Sequence, residues 1–252
     1  MTAEGNFVIA NMGTRRLELM TPEGDTRILC DQINGSPLGL ANFVLIDGKD
    51  RIWFTVSSRK KEFMDGFRQD VADGYIGIID GGVTAIVADN LSFPNEIRID
   101  ASGNYLYVAE TTGKRIRRCN LTDDGKLGSP KAFGPQRLGD GFPDGIAFDS
   151  LGNLWVAMVV AEKILVISPD QEIRTILDAG QSDAVQVVEE AFATGTLARE
   201  QMAAAKGLVA PLTSSIAFGG PDLQTVYLGC LAGDRLAVFH SPVPGHAMAH
   251  WR

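Results

Sequence analysis

Four side chains that carry oxygen ligands recur at the same position of a repeated sequence pattern: Asn42, Asn95, Asp144 and Ser214. Successive members are 53, 49 and 70 residues apart, and each opens a short run of alternating apolar residues. Amide, carboxylate and hydroxyl oxygens are the ligands that hard divalent cations prefer. If the fold brings these positions to one axis, Asn42, Asn95 and Asp144 are candidate metal ligands and Ser214 is a candidate substrate contact.

The cation that this donor set predicts is divalent, with calcium expected first and magnesium, zinc or manganese as alternatives. The competing explanation is that Asn and Asp ahead of a strand serve as turn residues that bond their own backbone. For one residue that explanation would win, but three at the same register of three repeats favour the metal site. Glu96 and Glu110 near the predicted pocket mouth are candidate substrate contacts, with solvated carboxylates as the alternative.

The elements that must position these residues follow from an internal repeat. Residues 93–109 align with residues 142–157, and related copies begin near residues 42 and 214. Each copy reads as an alternating strand, a turn and a more apolar strand, followed by a third strand and in several copies a weaker fourth. Four strands in about 40–50 residues are typical of a propeller blade. The turn carries a recurring aspartate that we interpret as structural: Asp47, Asp100 and Asp149.

The sequence therefore predicts an all-β fold, a β-propeller of which four full blades and part of a fifth are visible, and a six-bladed ring would need another blade and a half-blade ahead of Met1. Residues 4–10 match only the second half of the repeat, so the position equivalent to Asn95 falls ahead of Met1. An open ring exposes strand edges, which folded proteins avoid. We expect an N-terminal blade to be missing from the ring, and to be supplied by preceding residues or by a partner.

Two insertions interrupt the repeat within what otherwise reads as one propeller domain over residues 1–252. Residues 57–73 form a polar loop inside the first full blade. Residues 182–207 carry Val185, Val188 and Phe192 at helical spacing, which predicts a helical insertion. Each insertion is interpreted either as a lid or substrate wall, or as a packing embellishment or solvated loop.

Composition limits the classes of partner. The net charge of -8 lacks the basic footprint that nucleic-acid binding needs, and no apolar run approaches the length of a membrane span. The three cysteines lie far apart without zinc-type spacing, which favours reduced thiols and a cytoplasmic location. The three histidines, His240, His246 and His250, are interpreted as surface or packing residues. The oligomeric state is left open.

Two ordered motifs carry a resemblance to a known family. The first is Pro94-Asn95-Glu96 leading to Asp100-x-x-Gly103, and the second is Pro143-Asp144-Gly145 leading to Asp149-x-x-Gly152-Asn153-Leu154-Trp155. Together they resemble the senescence marker protein-30/gluconolactonase-like group of six-bladed propellers. The resemblance implies a metal held by Glu, Asn, Asn and Asp from four blades, of which Asn42, Asn95 and Asp144 match the last three.

The Glu ligand of that family belongs to the first blade, and Glu4 does not match it because it lies at the turn before a second strand. The activity implied is hydrolysis of a small-molecule lactone or related ester. The cation would polarise the carbonyl, and Asp144 would be the catalytic residue that takes a proton from the attacking water. The apolar Leu40, two residues before Asn42, argues against a sugar lactone. A more apolar ester or lactone would suit Phe43, Phe93, Phe142 and the loop over residues 57–73.

Two other hypotheses stay open at the level of sequence. A non-catalytic propeller that binds a protein or small ligand, or an inactive truncated lactonase homologue, is favoured by the unmatched Glu. A strictosidine-synthase-like propeller would need no metal, and the Asn42, Asn95 and Asp144 set argues against it. Propellers host many roles, so the fold alone does not decide among them.

Overall fold

The computed structural model describes residues 1–248, and His250 lies outside the described residues. Most elements are strands, with three short helices in the two regions read as insertions. The strands are β1 Phe7–Asn11, β2 Arg16–Met20, β3 Thr26–Cys30, β4 Gln32–Ile33, β5 Ser36–Pro37, β6 Ala41–Ile46, β7 Ile52–Val56, β8 Gly74–Asp80, β9 Val83–Leu91, β10 Pro94–Ile99, β11 Tyr105–Glu110, β12 Arg115–Asn120, β13 Lys131–Phe133, β14 Phe142–Phe148, β15 Leu154–Val159, β16 Lys163–Ile167, β17 Ile173–Asp178, β18 Thr213–Gly219, β19 Thr225–Cys230 and β20 Ala237–His240. The helices are α1 Phe63–Gly66, α2 Ser182–Ala193 and α3 Arg199–Ala204.

These strands form five antiparallel blades and one small hairpin, β4-β5. The blades are β1-β2-β3, β6-β7-β8-β9, β10-β11-β12-β13, β14-β15-β16-β17 and β18-β19-β20, here numbered blades 1 to 5. Within each blade the strands follow one another in chain order; most neighbours are joined by short turns, whereas β7 and β8 are joined by the insertion over residues 57–73. The prediction of an all-β propeller is confirmed, whereas a sixth blade is not confirmed by residues 1–248.

Four inner strands, β6, β10, β14 and β18, contact one another in sequence around the ring. β1 contacts β6, as the second strand of one blade contacts the inner strand of the next elsewhere in the ring. Within residues 1–248, blade 1 has no strand on the inner side of β1. The four inner strands are therefore the elements whose starts and ends define the two openings of the central channel.

Within residues 1–248, blade 5 has three strands, whereas the sequence predicts a full blade. Between β20 and residue 248 the chain crosses to blade 4. The amide of His246 donates to the carbonyl of Phe148 (2.9 Å), and Asp149 and Gly245 form an isolated bridge.

The turn aspartates are structural, as predicted. Asp149 is 3% exposed and accepts hydrogen bonds from the amides of Leu151 and Asn153 and from the indole of Trp155 (3.0, 2.9 and 3.0 Å). Asp47 makes the equivalent bonds in blade 2, with the indole of Trp53 at 2.8 Å. Trp53 and Trp155 each lie on the second strand of a blade, and each is hydrogen-bonded to the turn that joins this strand to the inner strand.

The core lies between adjacent blades. Trp155 packs edge-on against Phe218 of the next blade with ring centroids 5.1 Å apart, and Trp53 is fully buried between blades 2 and 3.

Across residues 1–248, no helix has the length and apolar character needed to cross a membrane.

Candidate functional site

The candidate ligands all lie at backbone irregularities. The register between the first two strands shifts between Ala41 and Phe43 in blade 2, and at the equivalent place in the next three blades. Those shifts fall between Pro94 and Ile97, between Pro143 and Ile146, and between Thr213 and Ser215. Asn42, Asn95, Asp144 and Ser214 are therefore residues of β-bulges, which re-aim side chains and are frequent beside active sites.

The burial pattern is that of residues lining a channel. Asn42, Asn95, Asp144 and Ser214 are each half-buried, whereas the residue before each of them is buried. A hydrogen bond beside these residues joins two neighbouring blades. The backbone carbonyl of Asn95 accepts a hydrogen bond from the buried hydroxyl of Thr55 (2.8 Å), so blades 2 and 3 are joined at this point.

A hydroxyl in blade 2 fixes the amide of Asn42. Ser57 donates its one hydroxyl proton to the carbonyl of Pro94 (2.9 Å), so its oxygen must accept from Asn42 Nδ2 (2.8 Å). This arrangement turns the Nδ2 group of Asn42 toward the protein. Its Oδ1 atom is then available to a cation, which is the orientation that a metal ligand needs.

Asp144 is the carboxyl group at the centre of the set. Burial and the nearby charge of Glu96 raise its pKa well above the ordinary value, and a hydrogen bond from the Asn95 side chain opposes this in part. A buried carboxylate next to a second carboxylate is stabilised when a cation binds between or beside them. Asp144 therefore has the electrostatic environment of a group that favours a divalent cation.

Glu96 lies beside Asp144 and is 7% exposed. One of its oxygens, Oε2, pairs with Arg98 Nη2 (2.8 Å) and accepts from the amide of Ile146 (3.2 Å). A methyl group at Gly145 would lie 3.2 Å from the other oxygen and 2.5 Å from the carbonyl of Ser214, so glycine is required for this close approach. Burial raises the pKa of Glu96, and Arg98 opposes the shift. Glu96 thus holds the bulge that carries Asp144.

The other predicted substrate contacts are placed differently. Glu110 is fully buried, forms ion pairs with Arg115 and Arg117, and accepts from the amide of Ser92 (3.0 Å). These partners occupy its carboxylate. Ser214 stays at the start of β18, with its carbonyl against Gly145.

Sequence reasoning missed the hydroxyls that support the ring. Ser57 and Thr111 each follow the second strand of a blade and donate to the inner strand of the next blade, at Pro94 and Pro143 (2.9 and 2.8 Å). Their shared register in two repeats was the available signal. It identifies them as residues that position the neighbouring bulges.

The donor set fits an oxygen-preferring divalent cation. Within residues 1–248, no three His, Cys, Asp or Glu side chains lie together as a metal-binding cluster. The candidate set instead combines the amides of Asn42 and Asn95 with the carboxylate of Asp144. Amide and carboxylate oxygens suit calcium, magnesium or manganese better than a soft metal.

A cavity of about 540 Å³ lies at the other end of the inner strands. Its wall includes Asp47, Arg98 and Asp100 near the strand ends, together with Phe218 and His246. Arg98 lines this cavity and also holds Glu96 through the ion pair described above. Arg98 therefore contacts both this cavity and the Glu96 carboxylate beside Asp144.

Known proteins show the same architecture. A gluconolactonase from Xanthomonas campestris matches with a TM-score of 0.67 at 19% identity, over 96% of this chain and 69% of that protein. The calcium-binding protein regucalcin from Agrobacterium tumefaciens matches with a TM-score of 0.68 at 17% identity, over 97% of this chain and 75% of that protein. At these identities the likeness shows the fold.

Sequence comparison adds the family. The adipocyte plasma membrane-associated protein of Danio rerio is 31% identical over 164 residues, which are 61% of this chain and 39% of that protein. This chain therefore spans well under two thirds of the length of that relative. The family model described as SMP-30/Gluconolactonase/LRE-like region matches residues 1–188, about three quarters of the sequence. The chain belongs to the SMP-30/gluconolactonase/LRE-like family.

Proposed function

We propose that this protein is a metal-dependent hydrolase of a lactone or related ester. Asn42, Asn95 and Asp144 would hold a divalent cation, with calcium preferred because the donors are oxygens and because the regucalcin neighbour is a calcium-binding protein. When bound, such a cation would act as a Lewis acid toward a carbonyl oxygen. Family membership supports the reaction class.

Each protein group then has a distinct role. The Asp144 carboxylate takes a proton from the water that attacks the carbonyl, and returning that proton to the ring oxygen yields the hydroxy acid. The Asn42 amide, held by Ser57 through its nitrogen, would offer its oxygen to the cation. Glu96 positions the Asp144 bulge through the amide of Ile146 (3.2 Å). Ser214 and Glu110 remain proposed substrate contacts, and Glu110 would first have to leave its arginine partners.

The observation that carries this proposal is the environment of Asp144. The group is a carboxyl in a β-bulge of an inner strand, hydrogen-bonded by the Asn95 side chain, with a pKa raised by burial and by Glu96. Perturbed carboxyl groups in clefts are enriched at functional sites. Asp178, which pairs with Lys163 at an exposed position (3.3 Å), shares none of these features.

The test measures metal content and hydrolysis in the same protein preparations. Purified wild type, Asp144→Ala and the control Asp178→Ala are loaded with calcium, dialysed and analysed by plasma mass spectrometry, then assayed against a panel of lactones. We expect about one tightly held ion per chain in wild type and control, with both the ion and hydrolysis lost in Asp144→Ala. Wild type that retains no ion and cleaves no lactone would instead favour the non-catalytic binding propeller.

A further inference from the structure

The start of each inner strand is covered by an apolar roof. The residue two positions before each candidate site residue is buried and apolar: Leu40, Phe93, Phe142 and Leu212. All four belong to one hydrophobic cluster. Because they lie at or just before the start of four successive inner strands, they are at the same end of the ring as Asn42, Asn95, Asp144 and Ser214.

The loop over residues 57–73 closes this roof with one aromatic side chain. Phe67 is 3% exposed, and its ring centroid lies 5.1 Å from that of Phe93 and 5.0 Å from that of Phe142. One ring that contacts two neighbouring inner strands must lie between them. Phe63 of α1 stacks on Phe67 at 5.4 Å and extends the aromatic surface outward.

The helical insertion completes the roof from the other side. Phe192 of α2 is 2% exposed and contacts Phe142 at 4.9 Å and Phe67 at 6.0 Å. Arg199 of α3 lies over the ring of Phe63 at 4.9 Å. The two insertions, more than a hundred residues apart in the sequence, therefore meet over the same end of the channel.

A buried ion pair holds α2 in this position. Glu189 pairs with Lys114 and Arg137, and also accepts from the amide of Gly141 (2.8 Å). Lys114 is fully buried, with its Nζ atom 4.1 Å from the ring centroid of Phe142. Lys114, which pairs with Glu189 of the helical insertion, thus also contacts Phe142, two residues before Asp144.

We propose that Phe67 and Phe192 are specificity residues that select lactones bearing an alkyl or aryl substituent over polyhydroxylated sugar lactones. This inference rests on the proposed hydrolytic function and names the substrate class of that site. The roof is closely packed, so a substrate substituent enters it only when these rings move apart, and the substituent then packs against the faces of Phe67 and Phe192. An apolar substituent replaces ring contacts with similar contacts, whereas sugar hydroxyls would lose water without gaining partners from phenylalanine or leucine side chains.

The roof is tested by substrate preference. The ratio of kcat/KM for a γ-lactone carrying a pentyl chain to kcat/KM for glucono-δ-lactone is measured for wild type, Phe192→Ala and Phe133→Ala. Phe133 is the matched control, since it makes a similar edge-on contact with Tyr107 (5.0 Å) but lies on the outermost strand of blade 3. We expect wild type to prefer the pentyl lactone, and Phe192→Ala to lower the ratio about tenfold while Phe133→Ala leaves it unchanged.

A preference of wild type for glucono-δ-lactone, or an unchanged ratio in folded Phe192→Ala, would overturn the roof proposal while leaving the hydrolase intact. A second measurement separates the two proposals. Calorimetry with the pentyl γ-lactam, which the hydrolase is not expected to cleave, reports binding without turnover. If no lactone is hydrolysed, lactam binding that weakens in Phe192→Ala still supports the roof, and absence of binding overturns it.

The ion pair is tested by hydrogen exchange. In Glu189→Gln we expect faster amide exchange across α2, because the buried Lys114 loses its charged partner, with unchanged exchange in the outer strands of blade 3. Addition of the pentyl γ-lactam should alter exchange in α2 of wild type. If exchange in α2 responds neither to Glu189→Gln nor to the lactam, the helical insertion is not the element that a substrate displaces.

Discussion

The two ends of strand β14 carry aspartates in opposite situations. Asp149, just after the strand, accepts four hydrogen bonds, two of them from Asn153, and is 3% exposed. Asp144, at the start, is half-buried beside Glu96, and its pKa is raised well above the ordinary value by burial and by that neighbour. Both recur in the repeat, so recurrence alone does not separate a structural aspartate from a functional one.

The number of hydrogen-bond donors around each carboxylate does separate Asp149 from Asp144. A carboxylate whose lone pairs are filled by amides and an indole contributes stability and has little capacity left for a ligand. A carboxyl that is desolvated and lies against another carboxyl costs stability when ionised, and a bound cation relieves that cost. The same division holds in blade 2, where Asp47 is saturated and the oxygen of Asn42 is left available by Ser57.

Asp144→Asn is the substitution that tests the contrast between Asp144 and Asp149 most directly. We expect kcat to fall by about 10²–10⁴-fold, because the proton acceptor is lost. The free energy of unfolding of the metal-free protein should stay the same or rise, because the substitution removes a buried charge beside Glu96. Steady-state kinetics and urea unfolding in chelator test the two halves, and a large loss of stability would place Asp144 with the structural aspartates.

Asp149→Ala should show the reverse pattern. Its removal leaves the indole of the buried Trp155 and nearby amides without acceptors, so we expect a loss of about 3 kcal/mol in unfolding free energy. For a chain of this size that corresponds to a fall in Tm of roughly 6–12 °C. Calorimetry measures the shift, and calcium binding at temperatures where the variant remains folded should match wild type. Undiminished stability would show that the hydrogen-bonded turn is dispensable.

The loss of unfolding free energy at low pH should depend on Asp47. Burial alone would raise its pKa, but bonds from Trp53 and Arg51 outweigh burial and lower it below the ordinary value. The folded state then binds fewer protons than the unfolded state, so this contribution is complete above about pH 4 and is lost as pH falls through the folded pKa. In chelator, wild type should lose stability below pH 4 more steeply than Asp47→Asn in denaturant titrations.

Asp144 provides the opposite sign for the same experiment. Its raised pKa means that the folded state binds the proton more tightly, so metal-free wild type should lose stability relative to Asp144→Asn as pH rises above about 4. Identical pH profiles for the two variants would remove the electrostatic basis of the comparison.

The sequence was informative wherever a local pattern repeats. The spacing of the blades, the recurring turn aspartates and the register of Asn42, Asn95 and Asp144 all come from one period, which is why they were predictable. The pairing of Glu110 was also accessible in principle, because it lies directly opposite Arg115 across a tight hairpin. Opposite charges at such cross-strand positions attract each other, so this residue was a weaker candidate for a substrate contact than its acidity implied.

Contacts between distant segments were not predictable. The meeting of Phe67 with Phe192 depends on how two insertions fold back over the ring, and their sequences do not encode that angle locally. The three-stranded blade 5 likewise arises because the chain after β20 bonds to Phe148 of blade 4.

The smallest expected effect tests whether the support around Asn42 is specific. Ser57→Ala and Thr111→Val each remove a hydroxyl that bonds a buried carbonyl of the next blade, so each should lower the unfolding free energy by about 1 kcal/mol. Only Ser57 also accepts from a candidate ligand, the Asn42 amide (2.8 Å). We therefore expect calcium affinity, measured by calorimetry, to fall roughly tenfold in Ser57→Ala and by a smaller factor in Thr111→Val, which leaves the Asn42 amide untouched. Equal affinities in the two variants would mean that Asn42 needs no help to present its oxygen, and the amide would then be positioned by the β-bulge alone.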